Sequence, residues 1–224
     1  MCSKSEMDQM ALKMMDKVFK PGQDPLQVIA VYNEWCKTYE ETMGDGRFNG
    51  PIIAAEHVAE MIPEDRRQHV RILDIAAAGT GAVGRELHKK GFTNIDALDP
   101  SEGMLNILRD KGVYKITYQE FISQNPTTIP QDTYDVVVTC GGMGESHLPV
   151  QGINEFIRVV KPGGLVIILM LMKRLLEVEA YKDKLEPHMD HLEQQGLWHK
   201  KGRKVVPNFT FGDDGIVFIY RVAN

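Results

Sequence analysis

Three groups of residues in this chain are of types and spacings that could do chemistry. The first is Gly79-Thr-Gly81-Ala-Val-Gly84, a G-x-G-x-x-G series preceded by Ala76-Ala77-Ala78 and by the acidic Asp74, with Asp99 lying 18 residues beyond Gly81. Small residues let a backbone approach a ligand closely, and a helix opening behind them turns its free N–H groups and positive dipole end toward that ligand. This is the expected place for a cofactor. The second group is Gly141-Gly-Met-Gly-Glu-Ser-His147, a glycine-rich loop that ends on a side chain titrating near neutrality. The third is Tyr32, Trp35 and Tyr39, three aromatics on one helical stripe, followed by an isolated cation, Arg47. Such a stripe either packs into ordinary core or covers a bound molecule, its hydroxyls meeting polar groups while a guanidinium pairs with a ligand carboxylate.

The elements that must position these groups follow from periodicity. Residues 5–19 carry Met7, Met10, Met14 and Val18 on one stripe, Pro21-Gly-Gln-Asp-Pro25 breaks that helix, and Asp24 with Pro25 reads as the cap and first position of a helix over 26–43. A loop over 43–51 and a helix over 52–61 complete a helical N-terminal unit, residues 1–65. From residue 66 a core of alternating strands and helices sets in. Strands are predicted at 71–75, 94–98, 114–118, 134–139 and 165–170, with helices at 82–90, after Ser101, and around Ile153–Val160. The run Tyr134-Asp-Val-Val-Val-Thr139 is almost continuously β-branched, as in a strand buried on both faces. Lys161-Pro-Gly-Gly164 reads as the turn into the fifth strand, Pro187 as a kink or split in a helical region over 177–195, and 197–211 with 216–222 as an antiparallel hairpin. A parallel sheet wrapped by helices binds ligands beyond the carboxyl ends of its strands, which nominates 75–81, 99–101, 119–121 and 139–143.

Composition excludes several classes. At 224 residues and 43% hydrophobic content the chain supports one good core, and a net charge of −5 without a basic block argues against nucleic acid. The densest basic cluster, Lys200-Lys201-Gly202-Arg203-Lys204, reads as a solvated hairpin. Cys2, Cys36 and Cys140 are too few and too scattered for a disulfide framework or a zinc site, which with the absence of a membrane-length apolar run points to a cytoplasmic protein.

The order of elements resembles the class I fold of S-adenosylmethionine-dependent methyltransferases over about residues 26–222. The resemblance rests on Leu73-Asp-Ile with Gly79-Thr-Gly81, on Asp99-Pro-Ser-Glu-Gly-Met-Leu105, on Tyr134-Asp-Val-Val-Val138, and on the Lys-Pro-Gly-Gly turn. More narrowly, Lys90-Gly-Phe92, Gly-Val-Tyr114, Tyr181-Lys-Asp-Lys-Leu-Glu186 and Leu192-Glu-Gln-Gln-Gly-Leu-Trp198 resemble the Williams–Beuren syndrome region methyltransferase-like proteins. It implies a mostly parallel seven-stranded Rossmann-like α/β sheet with helices on both faces and a closing antiparallel hairpin. It also implies S-adenosylmethionine as cofactor and S-adenosylhomocysteine as product. By position, Asp99 would hold the ribose hydroxyls, Pro100 and Met104 would sandwich the adenine, and Glu120 and Phe121 would meet its edge. Cys140 and Gly141 would line the methionine part, with Tyr32, Tyr39 and Arg47 closing over it. One departure stands out. The family writes D-x-G-x-G-x-G, and counting back from Gly81 gives Ala77, Gly79 and Gly81, so Asp74 is one residue too distant. Either the turn holds a one-residue insertion or Asp74 does not play the family's part.

Methyl transfer from a sulfonium needs alignment and exclusion of water, and a base only where the acceptor atom arrives protonated. His147 is the candidate base. The implied acceptor is a small molecule, with no nucleic acid or membrane partner, and the chain a monomer or homodimer. The competing readings are a non-catalytic protein that binds the same cofactor and, more remotely, a nicotinamide-dependent dehydrogenase using the literal G-x-G-x-x-G.

Overall fold

A computed structural model describes residues 4–44, 46–77 and 80–224. Four helices come first: α1 (Lys4–Val18), α2 (Pro25–Trp35), α3 (Tyr39–Met43) and α4 (Gly50–Met61). Asp24 caps α2 as its type and place require, its Oδ1 accepting from the Leu26 N–H at 2.8 Å, with Pro25 in the first turn. The single helix expected over 26–43 is in fact two. Cys36 and Thr42 donate to nearby backbone carbonyls, a local competition that loosens helical pairing, and the break lets the buried Trp35 indole donate to Thr42 Oγ1 at 2.8 Å.

The rest alternates as expected: β1 (Ile72–Ile75), α5 (Ala82–Lys89), β2 (Ile95–Leu98), α6 (Glu102–Asp110), β3 (Thr117–Tyr118), β4 (Tyr134–Cys140), α7 (Ile153–Val159) and β5 (Val160–Leu171). Then come α8 (Met172–Glu177), α9 (Leu185–Gln194), β6 (Trp198–Thr210) and β7 (Asp213–Val222). The strands form one seven-stranded sheet in the order β3-β2-β1-β4-β5-β7-β6, parallel except for β7, which runs antiparallel to both of its neighbours. Three details differ from expectation. β3 is only two residues long, because Tyr114 turns inward to another task. The Lys161-Pro-Gly-Gly164 segment lies within β5 as a bulge, the pairing stepping from Tyr134–Val160 to Val136–Leu165. The region over 177–195 is interrupted between Glu177 and Leu185, but not by Pro187, which neither kinks nor splits a helix; it sits in the first turn of α9, where an absent N–H costs nothing.

Period-two alternation sorts the sheet's side chains into two cores. Leu73, Val137, Val166, Ile168 and Phe218 face Phe156 of α7 and Leu185 and Met189 of α9. Ile72, Val136, Val138, Ile167 and Val217 face Ala54 and Val58 of α4 and Val83 and Leu87 of α5. At the amino ends of the strands, fully buried Asp96 accepts from Arg71 Nε at 2.9 Å, Tyr134 Oη at 2.9 Å and the Ile116 N–H at 3.1 Å, fixing β1, β2 and β4 against one another. Helices α1 to α3 hold a smaller core of their own, with Ala11, Val18, Val28, Trp35 and Met43 at its centre. They form a roof over the carboxyl ends of the strands.

Candidate active site

The chain passes from β1 to β2 and β3 on one side and returns with β4 on the other, so the connections at the carboxyl ends of β1 and β4 diverge. Such a switch point opens a crevice. A cleft of about 1000 Å³, counted to its open mouth, occupies it, its floor formed by the strand ends and its roof by α1 to α3. The two floors approach closely: a Cβ on Gly142 would lie 2.7 Å from Ala76 Cβ and 3.0 Å from Thr139 Oγ1. Only glycine fits there.

Asp99 enters at the end of β2. It is 3% exposed, and its Oδ1 accepts from the Ser101 N–H at 2.8 Å, which fixes the carboxylate's orientation. Ser101 caps α6 through the Met104 N–H and donates to Asn33 Oδ1 of α2 at 2.7 Å, and Gly103 N–H adds a bond to the same oxygen at 2.9 Å. The roof is thereby tied to the floor beside Asp99. Pro100 and Phe121 line the same part of the cleft, Phe121 being 45% exposed and so offering a bare aromatic face.

The loop after β4 forms the other wall. Cys140 and Gly141 line it, and burial pushes the Cys140 thiol well up, so that it stays protonated. His147 Nδ1 lies 2.7 Å from the Glu145 carbonyl oxygen, which can only accept; Nδ1 therefore carries the proton and Nε2 bears the lone pair. Tyr32 Oη of α2 donates to that Nε2 at 3.0 Å. Burial lowers the His147 pKa to about 4, keeping the imidazole neutral, and raises Tyr32 and Tyr39 far above the usual phenol range. A neutral imidazole of fixed tautomer, bridged to a phenol, faces an apolar cleft. Its loop is held by Ser146 Oγ donating to the Gln23 carbonyl at 2.6 Å and by the Gly22 N–H reaching Glu145 Oε1 at 3.1 Å.

The glycine loop is altered in a specific way. Among the described residues of the loop, Ala76 at φ 55°, Thr80 at φ 57° and Gly81 at φ 78° are left-handed, so a conformation that favours glycine falls on Ala76 and not on Ala77. Asp74 is 1% exposed; Tyr114 Oη donates to its Oδ2 at 2.6 Å and accepts from the Gly84 N–H at 2.9 Å, while Asp74 Oδ1 has no hydrogen-bond partner among the described residues. Burial pushes its pKa up to about 7, with Asp99 adding to the rise and the Tyr114 bond opposing it.

Of the residues nominated from sequence, Tyr32, Tyr39, Asp99, Pro100, Phe121, Cys140, Gly141 and His147 meet in this cleft. Gly79 lies outside the described residues. Ala77 packs with Ala97, Leu105 and Leu108, Gly81 caps α5, and Met104 is fully buried under α6; none of the three lines the cleft. Glu120 accepts from both the Thr128 N–H and hydroxyl, so it braces its own loop. Arg47 is not a ligand clamp: it is 5% exposed and donates to Asp8, Gly44 and Lys4, joining α1 to the segment after α3. Sequence reading missed Arg174, Phe19, Phe48 and Phe209, which also line the cleft. Arg174 lies just past the end of β5, outside the strand ends that the sequence nominates; Phe19 directly follows α1.

Among the described residues no group of His, Cys, Asp and Glu could hold a metal ion, and no helix is long and apolar enough to cross a membrane. Asp99 offers carboxylate oxygen to paired hydroxyls, and Phe121 and Pro100 offer flat apolar surface. That set fits an adenine nucleoside.

Comparison with known proteins agrees. A methyltransferase-domain family model matches residues 72–164. Methyltransferase-like protein 27 of Homo sapiens is 31% identical over 175 residues, covering 78% of this chain and 69% of that protein. The demethylmenaquinone methyltransferase of Clavibacter sepedonicus is 32% identical over 158 residues, covering 66% of this chain and 58% of its own length. Among solved structures, the [4+2]-cyclase SpnF superposes with a TM-score of 0.66 at 14% identity, over 89% of this chain and 96% of its own. A putative S-adenosylmethionine-dependent methyltransferase from Methanococcus maripaludis gives 0.54 at 20% identity, over 90% and 94%. Likeness at such identities speaks for the fold alone.

Proposed function

Because the chain belongs to the class I S-adenosylmethionine-dependent methyltransferase family, we propose that it transfers the methyl group of S-adenosylmethionine to a small-molecule acceptor and releases S-adenosylhomocysteine. The observation that carries this reading is the Tyr32–His147 pair, a neutral base facing the same cleft as the buried Asp99 carboxylate. Relatives named for demethylmenaquinone and for ubiquinone/menaquinone biosynthesis support a small-molecule acceptor. So does the aromatic lining of the cleft.

Asp99 would accept from the ribose hydroxyls, with Pro100 and Phe121 against the adenine and Cys140 and Gly141 along the methionine part. The cofactor, when bound, supplies a methyl group on a positively charged sulfur. Residues of this chain do the rest. Tyr32, Tyr39 and Trp35 exclude water from above, and His147 Nε2 takes up the proton of an acceptor hydroxyl, Tyr32 Oη yielding its hydrogen bond to admit it. His147 Nδ1–H stays on the Glu145 carbonyl and steadies the imidazolium so formed.

Calorimetric titration with S-adenosylhomocysteine tests the reading. The wild type should bind, and Asp99→Ala should bind more weakly by about 2–3 kcal/mol, the value of hydrogen bonds to a charged group. No binding by the wild type would sink the proposal, and unchanged affinity in a folded Asp99→Ala variant would remove Asp99 from the site.

A further inference from the structure

We infer that the acceptor is an aromatic-sized, apolar molecule carrying an anionic oxygen, carboxylate or phenolate, and that Arg174 is the residue that selects it. The inference rests on the proposed reaction and adds the substrate class. Arg174 belongs to α8, directly beyond β5, and lines the cleft. Its guanidinium lies flat against Phe19, 3.3 Å from the ring centroid, and Nη1 donates to the carbonyls of Gly141 and Met143 at 3.4 and 3.2 Å. Among the described residues no carboxylate lies within ion-pair distance of it. A cation withdrawn from water and given only carbonyl and aromatic partners keeps an unmet demand for an anion, and its planar fork is shaped for two oxygens.

Position separates this cation from the ribose end of the proposed cofactor site, and the titration with S-adenosylhomocysteine already bound separates it from the cofactor's own carboxylate. Asp99 follows β2 and Arg174 follows β5, three strand places apart in the order β2-β1-β4-β5, which at about 4.8 Å per strand is roughly 14 Å. The altered glycine loop of β1 and the His147 loop of β4 lie between them. Arg174 therefore stands on the far side of the base from the nucleoside end. Phe19 also stacks on His147, with ring centroids 4.6 Å apart, so one ring couples the cation to the base. An acceptor in the cleft beside them meets the aromatic side chains of Tyr39, Phe48 and Phe209 and one positive charge.

A matched pair of probes tests this: 2-naphthoate and its neutral isostere 2-naphthamide, titrated by calorimetry into the full chain saturated with S-adenosylhomocysteine. The expected result is tighter binding of naphthoate by about tenfold to a hundredfold, the range for a charge-assisted bidentate contact. Arg174→Gln should erase the preference, and Arg174→Lys, which keeps the charge, should retain part of it. Equal binding of both probes by the wild type overturns the inference without needing any variant. So does a preference that survives in a folded Arg174→Gln. If naphthoate binds only without S-adenosylhomocysteine and competes with it, Arg174 serves the cofactor and the inference fails. Failure of S-adenosylhomocysteine itself to bind strikes the proposed reaction instead, which keeps the two outcomes apart.

Discussion

Asp74 is a carboxyl group whose ionisation should work against folding, and the effect can be sized. Its pKa is raised from 3.8 to about 7, burial being the largest cause. Between those values the folded chain holds a proton that the unfolded chain has released, so stability falls as pH rises. With 1.36 kcal/mol per unit, the loss from pH 5 to pH 8 is roughly 2–3 kcal/mol. His147 acts in the opposite sense. Its folded pKa is depressed from 6.5 to about 4, so its contribution is present above 6.5 and is lost as pH falls toward 4. The two slopes partly cancel in the wild type, and a difference measurement is needed. Asp74→Asn keeps the shape and an acceptor for the Tyr114 hydroxyl while removing the titration. Urea unfolding of wild type and Asp74→Asn at half-unit intervals from pH 5 to 8 should show the variant gaining about 2–3 kcal/mol relative to the wild type across that range. Parallel profiles would refute the reasoning: they would mean that Asp74 ionises in the folded chain as easily as in water and that the orphaned Oδ1 is in practice solvated.

Other expectations follow from single contacts. His147→Gln should cut methyl transfer by about a hundredfold or more while leaving S-adenosylhomocysteine affinity unchanged, and it should flatten the loss of stability between pH 6.5 and 4, both measurable on one preparation. Asp96→Ala removes the shared acceptor of Arg71, Tyr134 and Ile116; breaking a buried pair on one side costs about 3–5 kcal/mol, visible as a drop in the denaturation midpoint. Ala76→Gly should raise stability by roughly 0.5–1 kcal/mol, because the relief of left-handed strain exceeds the entropy glycine adds to the unfolded chain. A lowered midpoint in that variant would place the strain elsewhere.

The fold was legible because its signals are redundant. Val136 to Val138 cannot be solvated in a strand of that pattern, Asp24-Pro25 can only open a helix, and the terminal hairpin is announced by a Gly-Asp-Asp-Gly turn between two β-rich runs. The strand ends are legible for the same reason, and Asp99, Cys140 and His147, read from them, line the cleft. Side-chain direction was not. Arg47 and Arg174 are both cations beside apolar residues in sequence, yet one is satisfied by Asp8 and the other turns into the cleft. Glu120 lies beside the cleft-lining Phe121, but Thr128 eight residues later captures its carboxylate. Tyr114 reads as a strand residue and spends its hydroxyl on Asp74 and α5. Each outcome depends on a partner distant in sequence, which no local pattern encodes.

The hydrogen bond from Tyr32 to His147 crosses between roof and floor, since Tyr32 rides on α2 and His147 on the loop after β4. The base in the proposed reaction is thus a joint between two bodies rather than a property of either. Swinging the roof away to release product would part the pair, admit water to Nε2 and raise the imidazole toward its ordinary pKa, after which closing would expel the proton it had taken. One movement would then both empty the cleft and recharge the base, so a turnover could not begin until the previous one had been cleared.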